Sequence, residues 1–432
     1  MDYSDAVQYL DRCLVFGIKP SLVRIKKLLQ VMDNPQEGID FIHIVGSNGK
    51  TSTTRMTAAI LYGQGIDCGY HISPHIKDYT ERFWYNGGDI TREEFAGLFE
   101  EIYTFVQRVN GLDLNGNMTQ FEIIAGMGFL MAKNFGLQVM VLEAGMGGRW
   151  DATNAVYSRV VGLTGVSLEH TSILGNSVEE IAVEKAEVLK QGAVAATTSE
   201  DKQVIDVLKN KASEAGGRVL AYRKDFDFNH FWDQDTDSWS VDMKGLKANY
   251  DRLKLVLKGQ YQVKNMALAV VLSELYLGEE KLDEERLKKS LSSLKVKGRF
   301  EIIRKDPEVI ADASHNPEGI KWLCTNLREY FPRKKKVIIF AVLEDKDYRE
   351  MVEEIIQVAD ILIITSSGSS RSLDIDLLEE AVISGLRERG LDGLPVYKID
   401  NIVNSLNFAL KISDLDDIIC ITGSITNLEP IL

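Results

Sequence analysis

The stretch Phe41-Ile42-His43-Ile44-Val45-Gly46-Ser47-Asn48-Gly49-Lys50-Thr51-Ser52-Thr53-Thr54-Arg55 decides the fold. Five mostly β-favouring residues run into a turn with two glycines, then a lysine, four hydroxyl residues and a helical pattern. This order predicts a strand, a phosphate-sized loop and a helix N-terminus. Glycines let backbone N–H groups approach an anion, and the helix start adds orphan donors and a positive dipole end. Lys50 is placed to reach the outer phosphates of a nucleotide, and the Thr51 hydroxyl to ligate Mg2+. The general pattern G-x-x-x-x-G-K-[ST] has a glycine where Ile44 stands. Alone, the loop therefore also fits an ordinary strand-to-helix turn.

Outward from this stretch, strands and helices alternate. Residues 1–30 read as helices, with Val7, Leu10, Leu14 and then Leu22, Ile25, Leu28, Leu29 at helical spacing. A helix over 52–64 leads to a short strand, Cys68 to Ile72, that stops at Ser73-Pro74-His75. Helical patterns follow over 91–109, opened by the capping box Thr91-Arg92-Glu93-Glu94, and over 119–135. Leu137 to Glu143 is a nearly continuous apolar run ending in a carboxylate, the pattern of a buried parallel strand. Val160 to Val166, Ala193 to Ala196 and Val219 to Tyr222 read as further strands, with helices over 177–190 and 200–215 between them. The alternation predicts a doubly wound parallel sheet, with the loops after its strands gathered at one edge.

Residues 225–258 change character, with strand-like alternation at Trp239 to Met243 and Leu253 to Leu257, expected as small antiparallel strands appended to the main sheet. Helices over 261–277 and 283–294 lead to Lys295-Val296-Lys297-Gly298-Arg299, which reads as a hinge. A second α/β pattern follows, with strands at Phe300–Ile303, Val309–Ala311, Lys336–Val342, Ile361–Thr365, Val396–Ile399 and Ile418–Thr422. The expected fold is α/β: a phosphate-loop domain over 1–295, with a central mostly parallel sheet and a small antiparallel sheet, then a smaller Rossmann-like α/β domain over 296–432.

A chain of 432 residues with 45% hydrophobic and 26% charged residues suits a globular protein of two or three domains. The net charge of −14 argues against a general nucleic-acid binder, so a polyanionic ligand must meet locally concentrated Lys and Arg. Cys13, Cys68, Cys324 and Cys420 are scattered singly, which fits a reducing compartment rather than a disulfide scaffold or structural zinc site. The acidic start Met1-Asp2-Tyr3-Ser4-Asp5 lacks a secretory pattern, and no apolar run reaches membrane-spanning length. These features predict a cytoplasmic protein, with no nucleic-acid or membrane partner and no demand for more than a monomer.

Thr51, Ser73, Glu143 and His170 each follow a predicted strand, so a doubly wound sheet brings them to one crevice. Hydroxyl, carboxylate and imidazole together form a candidate divalent-cation site beside a nucleotide. Each residue has a plainer reading: Ser73 as a turn residue, Glu143 as a solvated strand end, His170 as a surface histidine. Glu143-Ala144-Gly145-Met146-Gly147-Gly148-Arg149-Trp150-Asp151-Ala152-Thr153-Asn154 supplies a loop able to lie close to a ligand, with Arg149 and Asp151 offering opposite charges to a substrate. Lys185, on an acidic helix, reads by itself as a solvated ion-pair partner. Asp312-Ala313-Ser314-His315-Asn316-Pro317 ends another strand in polar groups and also reads as a capped helix start, with Asn316 as N-cap.

Taken together, Gly46–Ser52, Ser73-Pro74-His75, Glu143–Asn154, Glu169-His170-Thr171, Glu184-Lys185-Ala186, Gly298-Arg299-Phe300-Glu301 and Asp312–Pro317 resemble the Mur ligase superfamily, in its folylpolyglutamate synthase and dihydrofolate synthase branch. The early arrival of Lys50 and the opening Gly17-Ile18-Lys19-Pro20-Ser21-Leu22-Val23-Arg24-Ile25 are similar to the folate ligases. The resemblance implies ATP-dependent amide formation through an acyl phosphate, adding L-glutamate to a folate and in some members to dihydropteroate. It implies that Gly46, Ser47, Asn48, Gly49, Lys50, Thr51 and Ser52 hold ATP, with Asn265 contacting adenine. Arg299, Asp312 and His315 would come from the second domain onto the phosphates and ribose, making domain closure part of the mechanism. One Mg2+ would be held by Thr51 or Ser52 with Glu143 and Ser73, a second by Glu143 with His170, supported by a carbamylated Lys185. Lys50, Glu143, His170, Lys185 and His315 are thereby the expected catalytic residues.

The chain also departs from the family pattern. Thr51 stands where the folate branch usually has glycine, Glu169 replaces Asp, Tyr261 replaces His, and Trp150 replaces Leu in the glycine-rich loop. Two alternatives to the folate reading follow: a divergent Mur-type amino-acid ligase acting on another carboxylate, and a catalytically inactive nucleotide-binding protein.

Overall fold

The computed structural model describes residues 1–14, 17 and 20–432. Part of the Gly17–Ile25 motif, Ile18 and Lys19, lies outside the described residues, as do Val15 and Phe16. The chain divides into two compact bodies: Met1–Val256 with Gln262–Leu294, and Leu257–Tyr261 with Lys295–Leu432.

In the first body the strands are β1 Asp40–Val45, β2 Cys68–His71, β3 Phe83–Tyr85, β4 Gly88–Asp89, β5 Val139–Glu143, β6 Val160–Leu163, β7 Val194–Thr197 and β8 Arg218–Ala221. They form one sheet in the order β4-β3-β2-β5-β1-β6-β7-β8. β2, β5, β1, β6, β7 and β8 run parallel. Every residue of β5 is buried, as is all of β1 after Asp40, because helices cover both faces and leave no solvated side for polar residues. One face packs the helices Tyr3–Cys13, Val23–Val31, Arg92–Asn110 and Gln120–Asn134 around Leu10, Ile25, Phe99, Ile124 and Phe129. On another layer Ala182, Ala186, Val204 and Leu208 pack with Val161, Leu163 and Ala195.

Local chemistry sets the helix starts. Thr91 and Thr119 each accept from the backbone N–H three residues on, while Glu94 and Glu122 reach back to the caps. The predicted 177–190 helix stops at Ala186, and Lys190 instead donates to the carbonyls of Asn154 and Val156. The β3–β4 hairpin is not in the sequence reading: strands of three and two residues are too short to show a period.

Residues 225–258 hold three strands, β9 Asp227–Asp233, β10 Ser238–Lys244 and β11 Asn249–Leu255. They are not appended to the main sheet but form their own antiparallel sheet, with β10 in the centre. Buried Glu274 holds its turn, accepting from Leu246 N, Lys247 N and Tyr250 OH at 2.7, 3.1 and 2.8 Å.

The second body has the strands β12 Glu301–Arg304, β13 Glu308–Ala311, β14 Lys336–Phe340, β15 Ile361–Ile364, β16 Val396–Lys398 and β17 Ile418–Thr422, in the order β12-β13-β17-β14-β15-β16. Only β12 runs antiparallel to its neighbour. Ile310, Ile338, Phe340, Leu362 and Cys420 form its core with Leu323, Leu327, Met351 and Val382. Asn316 caps the helix Pro317–Tyr330 and accepts from Gly319 N at 2.8 Å. Among the described residues no helix is long and apolar enough to cross a membrane.

Candidate active site

The central strands β2, β5, β1 and β6 end level, with His71 opposite Leu142, Ile44 opposite Glu143 and Val45 opposite Leu163. Ser73, Glu143, the Gly46–Thr51 loop and the segment leading to His170 therefore issue from neighbouring strands at one edge, as parallel register dictates.

Two glycines of the loop are sterically required. Gly46 has φ +146°, and a Cβ there would lie 2.0 Å from Thr164 Oγ1. Gly49 has φ +85°, and its Cβ would lie 2.4 Å from Asn265 Oδ1. The segment after β6 clamps the loop: Thr164 Oγ1 donates to Asn48 O at 2.6 Å, Ser47 N to Gly165 O at 2.8 Å, and Ser167 N to Ser47 Oγ at 3.0 Å. Thr164 and Gly165 are functional supports that the sequence reading misses, because small polar residues after a strand carry no distinguishing pattern.

Lys50 donates to the carbonyls of Gly46 and Ser47 at 2.8 and 3.0 Å, which holds its ammonium across the loop. Thr51 Oγ1 donates to Glu143 Oε1 at 3.0 Å. Glu143 is no solvated strand end, being 2% exposed. Among the described residues no group of three or more His, Cys, Asp or Glu converges as a metal centre. The donor pair Thr51–Glu143 is all oxygen, which suits Mg2+, an ion that completes its shell with water and phosphate oxygens rather than a protein cage. Ser73 follows β2, while His170, at φ +47°, caps the short helix Thr171–Leu174 on the far side of β1 from β5.

Lys185 overturns its plain reading as a solvated lysine. It is 1% exposed and donates to Glu169 Oε1 at 2.7 Å and Gly46 O at 3.0 Å. Burial pushes its pKa down to about 8 although Glu169 opposes the shift. Burial raises the Glu169 carboxyl, but Lys50 and Lys185 outweigh this and hold it at about 2.

Arg149 and Asp151 are not turned out as a pair of substrate-facing charges. Arg149 pairs with Glu184 at 3.0 Å and Glu187 at 3.4 Å. Asp151 is buried and accepts from Met146 N at 2.9 Å and from Thr153 N and Oγ1 at 3.0 and 2.5 Å. Thr153 Oγ1 also meets His43 Nε2 at 2.8 Å. An otherwise unpaired buried carboxylate is costly, so the glycine-rich loop wraps its own N–H groups around Asp151.

Asn265 stands beside Gly49 and donates to Gln262 Oε1 at 3.0 Å. In the second body, Asp312 accepts from Phe300 N and Ser314 N, both at 2.9 Å, and Ala313 N donates to Gly298 O at 2.9 Å. Burial raises the Asp312 carboxyl, opposed by Ser314 and the Arg299 charge. His315 Nδ1 lies 3.0 Å from Ala313 O, so this nitrogen carries the proton. The two motifs around Arg299 and Asp312 are thus one hydrogen-bonded unit.

A phosphate loop on the central strand of a parallel sheet, beside an acid–hydroxyl pair and a buried lysine, defines a nucleotide-using α/β enzyme. Residues 44–273 match the Mur ligase middle domain, and residues 298–425 the Mur ligase glutamate ligase domain. Over 389 residues the chain is 29% identical to the dihydrofolate synthase/folylpolyglutamate synthase of Bacillus subtilis, covering 88% of this chain and 89% of that protein. Over 377 residues it is 32% identical to the enzyme of the same name from Mycobacterium tuberculosis, covering 84% and 77%. The crystal structure of Mycobacterium tuberculosis folylpolyglutamate synthase complexed with ADP and AMPPCP matches with a TM-score of 0.91 at 28% identity, covering 99% of this chain and 98% of that one. The chain belongs to the Mur ligase family, in its dihydrofolate synthase/folylpolyglutamate synthase branch.

Proposed function

We propose that this chain is an ATP-dependent ligase that joins L-glutamate to a folate. The observation that carries the reading is the Thr51–Glu143 pair, 3.0 Å apart at the root of a glycine-tight phosphate loop, in a chain similar along most of its length to enzymes of that name.

In the first step an oxygen of the acceptor carboxylate attacks the γ-phosphorus of ATP. The bond from that phosphorus to the bridging oxygen breaks, and its electron pair leaves with ADP. The glutamate amine then attacks the acyl carbon, the acyl–phosphate bond breaks, and inorganic phosphate departs. Loop amides and Lys50 bind the phosphates, Lys50 exchanging the carbonyls of Gly46 and Ser47 for phosphate oxygens. Thr51 and Glu143 are the residues to hold Mg2+, which when bound offsets the charge of two anions brought together.

The proposal includes a carbamate on Lys185. Burial favours the neutral amine, the form able to add CO2 with loss of a proton, and the product is an anionic oxygen group at the segment that carries Glu169, the sequence neighbour of His170, which is assigned with Glu143 to a second ion. Intact-mass measurement with and without bicarbonate tests this directly. Arg299, Asp312 and His315 carry the second body's part in ligation, tested by turnover of their single variants.

The deciding experiment incubates the protein with ATP, Mg2+, glutamate and tetrahydrofolate. A glutamylated product by mass spectrometry with equivalent phosphate release is expected. Release only with a different acid would move the acceptor away from folate, a reading favoured by Trp150, which is 52% exposed in the glycine-rich loop. Nucleotide binding without turnover for any acid would reduce the protein to a binding module.

A further inference from the structure

Arg82 is a buried cation that the ligase reading leaves without a task. It closes the turn Tyr79–Arg82 and leads into β3. Its carbonyl accepts from Ile72 N at 3.0 Å, while His71 pairs with Phe83 on one side and Leu142 on the other. Arg82, Ile72 and Glu143 therefore stand in one row across neighbouring strands, at the same edge as the phosphate loop.

The residue is only 7% exposed, yet its guanidinium has few protein partners. Nε donates to His75 Nδ1 at 2.7 Å, and the group lies 5.2 Å from the Tyr79 ring centroid. Tyr79 is itself fixed: its hydroxyl donates to Asp11 Oδ1 at 2.6 Å and accepts from Gln120 Nε2 at 2.5 Å, and its ring sits 4.3 Å from that of His75. The outer nitrogens, Nη1 and Nη2, make no hydrogen bond to a described residue. Burial lowers the guanidinium pKa to about 10, opposed by Tyr79, Glu143 and Asp11. A buried, rigidly aimed cation with an open fork is costly unless an anion completes it.

Sheet order says which anion. Lys50 and the phosphate loop follow β1, on one side of β5, whereas Arg82 and Ser73–His75 lie on the other, by β2 and β3. Glu143, at the end of β5, separates them. Nucleotide phosphates belong to the loop side, so the acid they phosphorylate must approach from the Arg82 side. We propose that the outer fork of Arg82 binds the acceptor carboxylate that becomes phosphorylated, through two parallel N–H···O bonds, and that His75 is its positioning residue. Resting on the ligase reading, the assignment adds a carboxylate subsite. A guanidinium fits a planar carboxylate at both oxygens, which a lysine ammonium cannot do.

The test compares Arg82→Gln and Arg82→Lys with the unsubstituted protein, measuring KM for tetrahydrofolate beside AMPPCP affinity by calorimetry. Turnover by the unsubstituted protein tests the ligase reading separately. Both variants should raise the acceptor KM by about 20-fold or more, two lost charge-assisted hydrogen bonds, while AMPPCP affinity stays within about twofold. His75→Leu should raise the same KM less, and His75→Gln, whose oxygen still accepts from Nε, should recover part of it. An unchanged acceptor KM in Arg82→Lys overturns the proposal, as does a parallel loss of AMPPCP affinity, which would give Arg82 to the phosphates. Should Arg82→Gln fail to fold, Arg82→Lys decides alone, since it keeps the charge and the stem.

Discussion

Lys185 Nζ lies 2.7 Å from Glu169 Oε1, with both side chains nearly sealed from solvent. The lysine comes from the helix Val178–Ala186 and the glutamate from the segment after β6, and the same Nζ reaches Gly46 O at 3.0 Å. Three chain segments therefore meet at one ammonium beside the phosphate loop. Removing one partner of such a pair leaves an uncompensated buried charge, a cost of about 3–5 kcal/mol.

Lys185→Ala is expected to abolish ligation and lower stability, with short carboxylic acids restoring part of the activity by supplying an anionic oxygen in the vacated space. Steady-state turnover with and without added acid checks this. An unchanged rate would remove Lys185 from the site.

The pair also predicts an acid limb in the stability curve. Glu169 is held at about 2 in the folded chain, below its unfolded value of about 4.3. Its contribution is therefore complete above pH 4 to 5 and is lost as pH falls towards 2. Lys185 has the opposite consequence. Its folded pKa, about 8, lies below an unfolded value of about 10.4, so stability rises with pH across that window. Urea unfolding from pH 5 to 2.5 should give a shallower slope for Glu169→Gln than for the unsubstituted protein, and equal slopes would count against the assignment.

At the neighbouring pair, Glu143→Ala should remain folded and lose Mg2+-dependent turnover. Thr51→Val keeps the carboxylate and removes one oxygen ligand, so it should raise the Mg2+ requirement by roughly tenfold, the scale of one hydrogen bond to a charged group. Mg2+ titrations of turnover, with circular dichroism as the control for folding, distinguish the two. Full activity in Glu143→Ala would discard the metal assignment.

Gly49→Ala places a methyl group against Asn265 Oδ1 in a backbone conformation that disfavours side chains. The strain, about 1–3 kcal/mol, should weaken AMPPCP binding by roughly tenfold or more, because the loop must move to accommodate it. Calorimetric titration reads this, and an unaltered affinity would show that the loop is not held as described.

Most of the fold was legible in the chain. β5 was read at Leu137–Glu143 because a run buried on both faces is apolar throughout, and the Thr91 capping box marked its helix because the signature is local. The β3–β4 hairpin escaped because it is too short for periodicity, and β9 because its aromatic and acidic residues mimic a loop.

By itself the sequence determined the alternation of strands and helices, the loop at Gly46–Thr51, and the family resemblance of its motifs, because each rests on neighbours a few residues apart. Tertiary structure alone decided which side chains are committed and which are poised. Asp151 turned inward because burial demands donors for a carboxylate, and Lys185 proved sealed rather than solvated because Glu169 and Gly46 close over it. Arg82 emerged only when β2, β3 and β5 lay side by side, since charge, burial and an open fork are properties of packing, not of spacing along the chain.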